Sequence, residues 1–142
     1  MNKEENCPFC NNIEPKSRIL AETDHSIIIL SNPALVKAHI LVIPKKHVEK
    51  ISELTRTELD DLINQVLKFQ KIILKKFKGC DIRQNYRPFQ KQNDLKVDHL
   101  HIHLQPRELF DELYEKCQIK ERDIFRKLNQ EELDEIKEFV LE

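Results

Sequence analysis

The sequence predicts a single α+β domain in which short strands accompany one long helix. Short apolar runs typical of strands lie on both sides of one long segment with helical periodicity. The 142 residues suit one domain of ordinary size, and no repeat, low-complexity segment or linker divides them. We therefore expect one domain over residues 1–142, with its core motifs in residues 7–107 and a helical extension over residues 108–142.

Three strands are predicted in the N-terminal part of the chain. The apolar runs Ser17–Ala21 and His25–Leu30 are separated by turn residues, and His39–Ile43 follows a turn around Asn32-Pro33. Pro44 cannot donate a ladder hydrogen bond, so it is expected to end the third strand.

A long helix is predicted to follow the third strand. Thr55 and Glu58 have the spacing of a capping box, in which side chain and backbone bond reciprocally at a helix start. Gly79, the single glycine of the chain, lies where a left-handed cap is expected to end the helix. Between them the apolar stripe consists of Leu59, Leu62, Ile63, Val66, Leu67, Ile73, Leu74 and Phe77.

Two more strands and a helical tail complete the prediction. Asp81–Tyr86 and Val97–Gln105 are the fourth and fifth strands, separated by a polar loop over residues 87–96. In the tail, Asn129 with Glu132 is expected to cap the last helix. Apolar helix faces are expected at Leu109, Phe110, Leu113 and Tyr114, and at Leu133, Ile136 and Val140.

The composition excludes several classes of function. A formal charge of −1, from 24 basic and 25 acidic residues, gives no electrostatic case for nucleic acid or an anionic membrane. No apolar run is long enough to cross a bilayer, and the first residues lack the apolar region of a secretory signal, so we expect a cytoplasmic protein. One glycine is too few for a phosphate-binding loop or a dinucleotide fingerprint.

Three histidines alternate with apolar residues in the fifth predicted strand. His99, His101 and His103 would share one face of that strand, because successive side chains of a strand point to opposite faces. Imidazole is a nucleophile, a proton donor or acceptor, and a metal ligand. The row therefore has three interpretations: chance alternation, a metal site, or nucleophilic catalysis at phosphorus.

The four cysteines include one pair with a telling spacing. Cys7 and Cys10 bracket two residues, which is the common half-site spacing of a structural zinc. A redox pair and two unbridged thiols are the alternatives for this pair. Cys80 and Cys117 are expected to be small, buried apolar side chains.

Three ordered segments resemble the histidine-triad (HIT) superfamily. Residues 99–105 resemble its signature of three histidines alternating with apolar residues, and residues 38–47 resemble the Gly-His-x-Leu-Val-Ile-Pro-Lys-x-His segment of its Hint-like branch. Residues 7–10 resemble the Cys-x-x-Cys opening of many bacterial members. The resemblance implies an antiparallel sheet of about five strands, a homodimer, and hydrolase or nucleotidyltransferase activity at the α-phosphate of nucleoside phosphoramidates or dinucleoside polyphosphates.

The resemblance also implies catalytic roles. His101 would be the nucleophile that forms a nucleotidyl-histidine intermediate, and His103 would lie against the phosphate or the leaving group. His39 would complete the cluster from a neighbouring strand, and His99 would set its orientation.

Metal and substrate residues follow from the same resemblance. Structural zinc would be bound by Cys7, Cys10, His47 and His99. Ser31 or Asn32 falls where the family contacts the ribose of a purine nucleoside phosphate, Lys96 replaces a small hydroxyl residue, and Arg107 lies in the tail of the signature. These four are the substrate-binding candidates.

The chain departs from the family pattern around the expected phosphate site. Ala38 takes the place of a glycine, Gln105 takes an apolar position, and residues 87–96 replace a glycine-containing loop. The departures leave the leaving group open and make a second hypothesis worth stating, a zinc-stabilised module that binds nucleotides with little or no turnover. A third hypothesis is metal-dependent hydrolysis on the histidine row itself.

Overall fold

The computed structural model of the chain describes residues 4–11 and 13–141. The chain divides into two compact units, Met1–Leu109 and Phe110–Glu142. The first unit contains a five-stranded sheet and one long helix, and the described part of the second contains helices alone. The predicted α+β class with a five-stranded antiparallel sheet is confirmed.

The order of the strands in the sheet brings distant parts of the chain together. The strands are β1 Ile19–Glu22, β2 Ser26–Leu30, β3 Ile40–Pro44, β4 Gly79–Arg83 and β5 Ile102–Arg107. Their order across the sheet is β1-β2-β3-β5-β4, and every neighbouring pair is antiparallel. Since β5 lies between β3 and β4, side chains on one face of β5 are flanked by both of these strands.

The described part of the first unit contains two α-helices, α1 Pro8–Asn11 and α2 Arg56–Ile73, and two short 3-10 helices, Lys16–Arg18 and Ile51–Glu53. The predicted capping box of α2 is confirmed, because Glu58 N donates to Thr55 Oγ1 at 3.2 Å and Thr55 N donates to Glu58 Oε1 at 2.8 Å. The predicted glycine cap is wrong: Gly79 begins β4 and has no positive φ. The helix ends through backbone turns over residues 75–77, which bond to carbonyls of its last residues.

The core lies mainly between α2 and one face of the sheet. Four α2 side chains are buried there, and they pack with the apolar residues that alternate with the histidines. The buried face is narrower than the predicted stripe, because Ile63, Leu67 and Leu74 are 38%, 49% and 47% exposed. A smaller cluster of Ile29, Leu41 and Ile43 lies apart from this core.

The last two strands are shifted from their predicted positions. β5 begins at Ile102 instead of residue 97, and residues 97–101 are irregular, with His99 in a bend. The pairing of β4 with β5 stops where Arg83 meets His103, so residues 84–86 have no strand partner and β4 is shorter at that end than predicted. The alternation survives, since Leu100, Ile102 and Leu104 all enter the core.

The second unit contains α3 Glu112–Lys116 and α4 Gln130–Val140. Asn129 caps α4 as predicted, accepting from Glu132 N at 2.8 Å. The predicted apolar faces are mostly exposed: Leu113 alone is buried, whereas Leu109 and Phe110 precede α3 and are exposed. In α4, Ile136 and Val140 are 49% and 62% exposed. The predicted burial of Cys117 is wrong, since its side chain is exposed, and Cys80 is only partly buried. Among the described helices, none combines the length and apolar character that a membrane span requires.

Candidate active site and metal centre

The histidine row joins two adjacent groups of side chains in the first unit. His99, just before β5, belongs to a cluster of cysteines and histidines. His101, which immediately precedes β5, and His103, the second residue of β5, line a cavity together with His39, which immediately precedes β3. The short helix α1 lies against both groups, since the Phe9 ring is 5.8 Å from the His99 ring and 5.3 Å from the His101 ring.

The first group is a set of four metal-ligating side chains. Their donor atoms all lie within 4.8 Å of one another, and they belong to Cys7, Cys10, His47 and His99. His99 Nδ1 is 3.3 Å from Cys7 Sγ and 3.1 Å from His47 Nδ1, and Cys10 Sγ is 3.2 Å from His47 Nδ1. A tetrahedral site with bonds of about 2.0–2.3 Å has edges of roughly 3.3–3.8 Å, so this spacing fits one ion.

The protonation of the cluster also suits a metal ion. His99 Nε2–H donates to the carbonyl oxygen of Pro44 at 2.8 Å, which leaves the lone pair of Nδ1 directed at the sulfur atoms. Burial raises the pKa of the Cys7 thiol to about 11 and lowers the pKa of His99 to about 4. A dication compensates the buried negative charge of thiolates, so the four residues are positioned to bind a metal ion.

The second group is a relay of hydrogen bonds that ends on His103. The backbone N–H of Leu35 donates to His39 Nδ1 at 3.1 Å, so the proton of neutral His39 lies on Nε2. That Nε2–H donates to His103 Nδ1 at 2.9 Å. His103 Nδ1 is therefore an acceptor, and neutral His103 carries its own proton on Nε2. The relay thus makes His103 a hydrogen-bond donor toward the cavity.

His101 has the opposite orientation. Its Nδ1–H donates to the carbonyl oxygen of His99 at 2.7 Å, and its Nε2 consequently carries a lone pair. The rings of His101 and His103 are 4.8 Å apart. An imidazole with a free lone pair thus lies beside an imidazole with a free N–H, which is the arrangement that nucleophilic attack beside a proton donor requires.

Burial keeps these imidazoles neutral near pH 7. Burial is the main reason that the pKa of His39 is lowered to about 4 and the pKa of His103 to about 3. Burial also lowers the pKa of His101. The positive charge of Arg83 contributes in the same direction to the lowered pKa of His39 and of His103. Neutral imidazole is the form with a nucleophilic nitrogen.

A cavity of about 580 Å³ opens onto the three imidazoles. Ser31 and Asn32 line it from the loop between β2 and β3, and Arg83 lines it from β4. An adjoining cavity of about 550 Å³ has His101 and His103 on one wall and the loop over residues 87–96 on another, including three cationic side chains, Arg87, Lys91 and Lys96. The volumes of the two cavities suit a small-molecule ligand, and their cationic side chains suit a ligand with anionic groups.

The predicted substrate residues fall in different places. Ser31 and Asn32 line the main cavity, and Lys96 lines the adjoining one, where its ammonium pairs with Asp98 at 2.8 Å and donates to the carbonyl of Gln90. Arg107 lines neither cavity. Its guanidinium forms a 2.6 Å ion pair with Asp81, which links the paired strands β5 and β4.

His99 likewise does not line the main cavity, and its side chain is 1% exposed. The structure places its imidazole in the metal cluster and its carbonyl against His101, so the orienting contact is made by the backbone. Sequence reasoning missed Phe9, Arg83, Asn85 and Gln105 as residues of the cavity wall. Arg83 faces the cavity through its pairing with His103 across two strands, a pairing that no local pattern reveals.

Fold and site together define an α+β protein with a histidine cluster on the strand next to the sheet edge. The HIT domain family model matches residues 12–109. The chain is 33% identical over 106 residues to an adenosine 5'-monophosphoramidase of Schizosaccharomyces pombe, covering 71% of this chain and 74% of that protein. It is 28% identical over 96 residues to a bis(5'-adenosyl)-triphosphatase of Dictyostelium discoideum, covering 68% and 64%.

A crystal structure of a HIT family protein from Bacillus anthracis superposes with a TM-score of 0.67 at 26% identity, covering 96% of each chain. The chain therefore belongs to the HIT domain family, as the histidine motif predicted. The position of Cys7 and Cys10 beside His47 and His99 is compatible with the zinc motif of the bacterial-type branch.

Proposed function

We propose that the protein is a nucleotide hydrolase or nucleotidyltransferase that acts at the α-phosphate of nucleoside phosphoramidates or dinucleoside polyphosphates. The observation that carries the proposal is the orientation of His101, whose Nδ1–H is bonded to a backbone carbonyl so that Nε2 has a free lone pair at the cavity. Relatives named as a phosphoramidase and a dinucleoside triphosphatase support a purine nucleoside phosphate derivative as substrate.

In the proposed reaction, His101 Nε2 attacks phosphorus and forms a P–N bond while the bond to the leaving group breaks. The leaving group departs with the bonding electron pair: a polyphosphate leaves as its anion, and an amine leaves after its nitrogen has taken a proton from solvent. The N–H of His103 stabilises the charge on the phosphoryl oxygens. Water then cleaves the P–N bond and releases the nucleoside monophosphate. Ser31 and Asn32 would hold the ribose, and Lys96 would add positive charge beside the phosphate.

The test is turnover of adenosine phosphoramidate and diadenosine tetraphosphate by the wild type and by His101→Ala. We expect the variant to lose activity by about 10³-fold or more, because the step that forms the covalent intermediate is removed. Denatured wild-type protein, quenched during turnover, should carry one adenylyl group that the variant lacks. Full turnover by the variant would overturn the mechanism.

A binding module with little turnover is the second candidate. It is favoured by one observation: the Lys96 ammonium, which replaces a small hydroxyl residue, is bonded to Asp98 and Gln90 and not directed solely at the cavity. Nucleotide binding measured by calorimetry without detectable product would support this candidate over the enzyme.

We also propose that the metal is structural zinc. Two thiolates and two imidazoles are the ligand set of a Cys₂His₂ zinc site, and bound zinc would stabilise the N-terminal segment against β5. Protein purified without chelators should contain one zinc per chain by elemental analysis. Cys10→Ser should lose most of it, whereas Cys117→Ser, at an exposed thiol outside the cluster, should retain it.

The same arguments bear on assembly and location. We propose a homodimer that uses the edge of β4, because Ile82 on this edge strand is 47% exposed. Sedimentation at micromolar concentration tests the dimer. Cysteines that act as metal ligands suit a reducing compartment, which supports a cytoplasmic location.

A further inference from the structure

The cavity has an edge beyond the histidines that the proposed reaction does not use. Arg83, on β4, is the cross-strand partner of His103, so both side chains lie on the same face of the sheet. Arg83 is exposed, lines the main cavity, and forms no ion pair within residues 4–11 and 13–141. An unpaired guanidinium beside two neutral imidazoles is a binding group for an anion.

The neighbouring position on β5 points to a polar ligand as well. Gln105 is two residues beyond His103, lines the same cavity and is 2% exposed. Its Oε1 is buried and has no hydrogen-bond partner in the described structure. A buried acceptor without a partner is costly, so this part of the cavity wall is suited to a ligand group that donates a hydrogen bond, which is a separate requirement from the anion site at Arg83.

The strand order gives the direction of the ligand. β5 lies between β3 and β4. The loop with Ser31 and Asn32 leads into β3 on one side, and Arg83 is part of β4 on the other side. A substrate with its ribose at that loop and its α-phosphate at the histidines therefore extends its leaving group toward β4. The adjoining wall carries Arg87 and Lys91, so positive charge continues in the same direction.

We propose that Arg83 is a specificity residue that binds the phosphates beyond the α-phosphate, so that the protein prefers substrates with an anionic polyphosphate leaving group over those with an amine. This inference rests on the proposed function for the position of the ribose and the α-phosphate. Arg83 binds the leaving group directly, and its guanidinium is matched to two phosphate oxygens at once.

The test compares equilibrium binding of AMP with that of α,β-methylene-ATP, which cannot be cleaved at the bond between the α and β phosphorus atoms. Wild-type protein should bind the triphosphate analogue about tenfold more tightly than AMP, because a hydrogen-bonded charge pair contributes on that order. In Arg83→Gln the ratio should fall to near one, because the affinity for the triphosphate analogue falls more than the affinity for AMP, and Arg83→Lys should keep part of the ratio.

Arg122→Gln is the matched control, because it removes the same charge at an exposed arginine outside both cavities. Sedimentation of each variant verifies that its assembly is unchanged. For the wild type, raising KCl should reduce the ratio, a measurement that needs no variant to fold.

Equal affinity for the two nucleotides in the wild type, or a ratio unaffected by Arg83→Gln, would overturn the inference. Absence of binding of either nucleotide would overturn it as well. The binding assay needs no turnover, so its outcome for Arg83 can be interpreted even if the His101→Ala test refutes the proposed catalytic mechanism.

Discussion

Replacing Ala38 with glycine should stabilise the protein. Ala38 has a φ of 62°, in the left-handed region that favours glycine. This conformation costs an L-residue about 1–2 kcal/mol, whereas glycine adopts it without steric cost. Glycine gains more conformational freedom in the unfolded chain, which offsets about 0.5–1 kcal/mol. The net expectation is a free energy of unfolding higher by about 0.5–1 kcal/mol.

The conformation of Ala38 is fixed by the turn that leads into His39. His39 N donates to the carbonyl of Val36 at 3.2 Å, and Ser31 N donates to the carbonyl of His39 at 2.8 Å. These bonds hold both sides of the turn, so the strain is not relieved by a local change of φ. The same turn presents the Leu35 N–H to His39, which begins the hydrogen-bond relay to His103.

The assay is urea unfolding followed by circular dichroism, with the melting temperature as a second measurement. Ala38→Gly should raise the melting temperature by roughly 1–4 °C. Ala34→Gly, in the same loop at a residue without positive φ, is the control and should lower the free energy of unfolding by about 0.5–1 kcal/mol. A lower stability of Ala38→Gly, or the same sign for both variants, would refute the reasoning.

Two further predictions concern stability. Asp61 Oδ2 accepts three hydrogen bonds, two from the turn between β1 and β2 and one from Ser26 at the start of β2, and the shortest comes from Thr23 Oγ1 at 2.6 Å. Asp61→Ala should lower the free energy of unfolding by about 2–3 kcal/mol, and Asp60→Ala, an exposed ion-pair partner, by less than about 1; similar small losses would contradict this. The pKa values of His39 and His103, lowered to about 4 and 3, mean that the unfolded chain binds more protons below pH 6.5. The free energy of unfolding should therefore fall as the pH drops from 6.5 toward 4, by up to about 1.4 kcal/mol per pH unit for each histidine. Urea titrations at several pH values should show a smaller fall per pH unit for His103→Asn than for the wild type. An equal fall in the two proteins would argue against buried neutral imidazoles.

Local patterns predicted most of the fold because the relevant interactions are local. The capping box at Thr55 and the cap at Asn129 each depend on four consecutive residues of sequence and were confirmed. The limits of β4 and β5 were predicted less well, because a strand ends where its partner stops pairing. At Arg83 that limit is set by the irregular backbone before Ile102, which lies on the other strand.

In the candidate site, too, the residues that belong to short motifs could be predicted from the sequence, whereas contacts between distant parts of the chain could not. The histidine and cysteine motifs were visible in the sequence, and the resemblance linked them. The contact between Cys7 and His99 spans 92 positions along the chain, and only the folded sheet brings their donor atoms together. Arg83 belongs to no motif, so its place in the cavity follows from strand order and register alone, and Gln105, at the last position of the histidine signature, carries no sign in the sequence of its place in the cavity wall.

His99 contributes to both groups of side chains, the metal-ligating cluster and the cavity that His101 lines. Its imidazole belongs to the cluster with Cys7, and its carbonyl oxygen accepts the Nδ1–H of His101. The irregular backbone before Ile102 permits this, because it turns the carbonyl of residue 99 toward the His101 ring, a bond that a regular strand would direct to its neighbour instead. Whatever holds the His99 side chain therefore also fixes the ring nitrogen that His101 presents to the cavity. The late start of β5 thus accompanies a His101 imidazole with a defined tautomer, which is what its proposed role as a nucleophile requires.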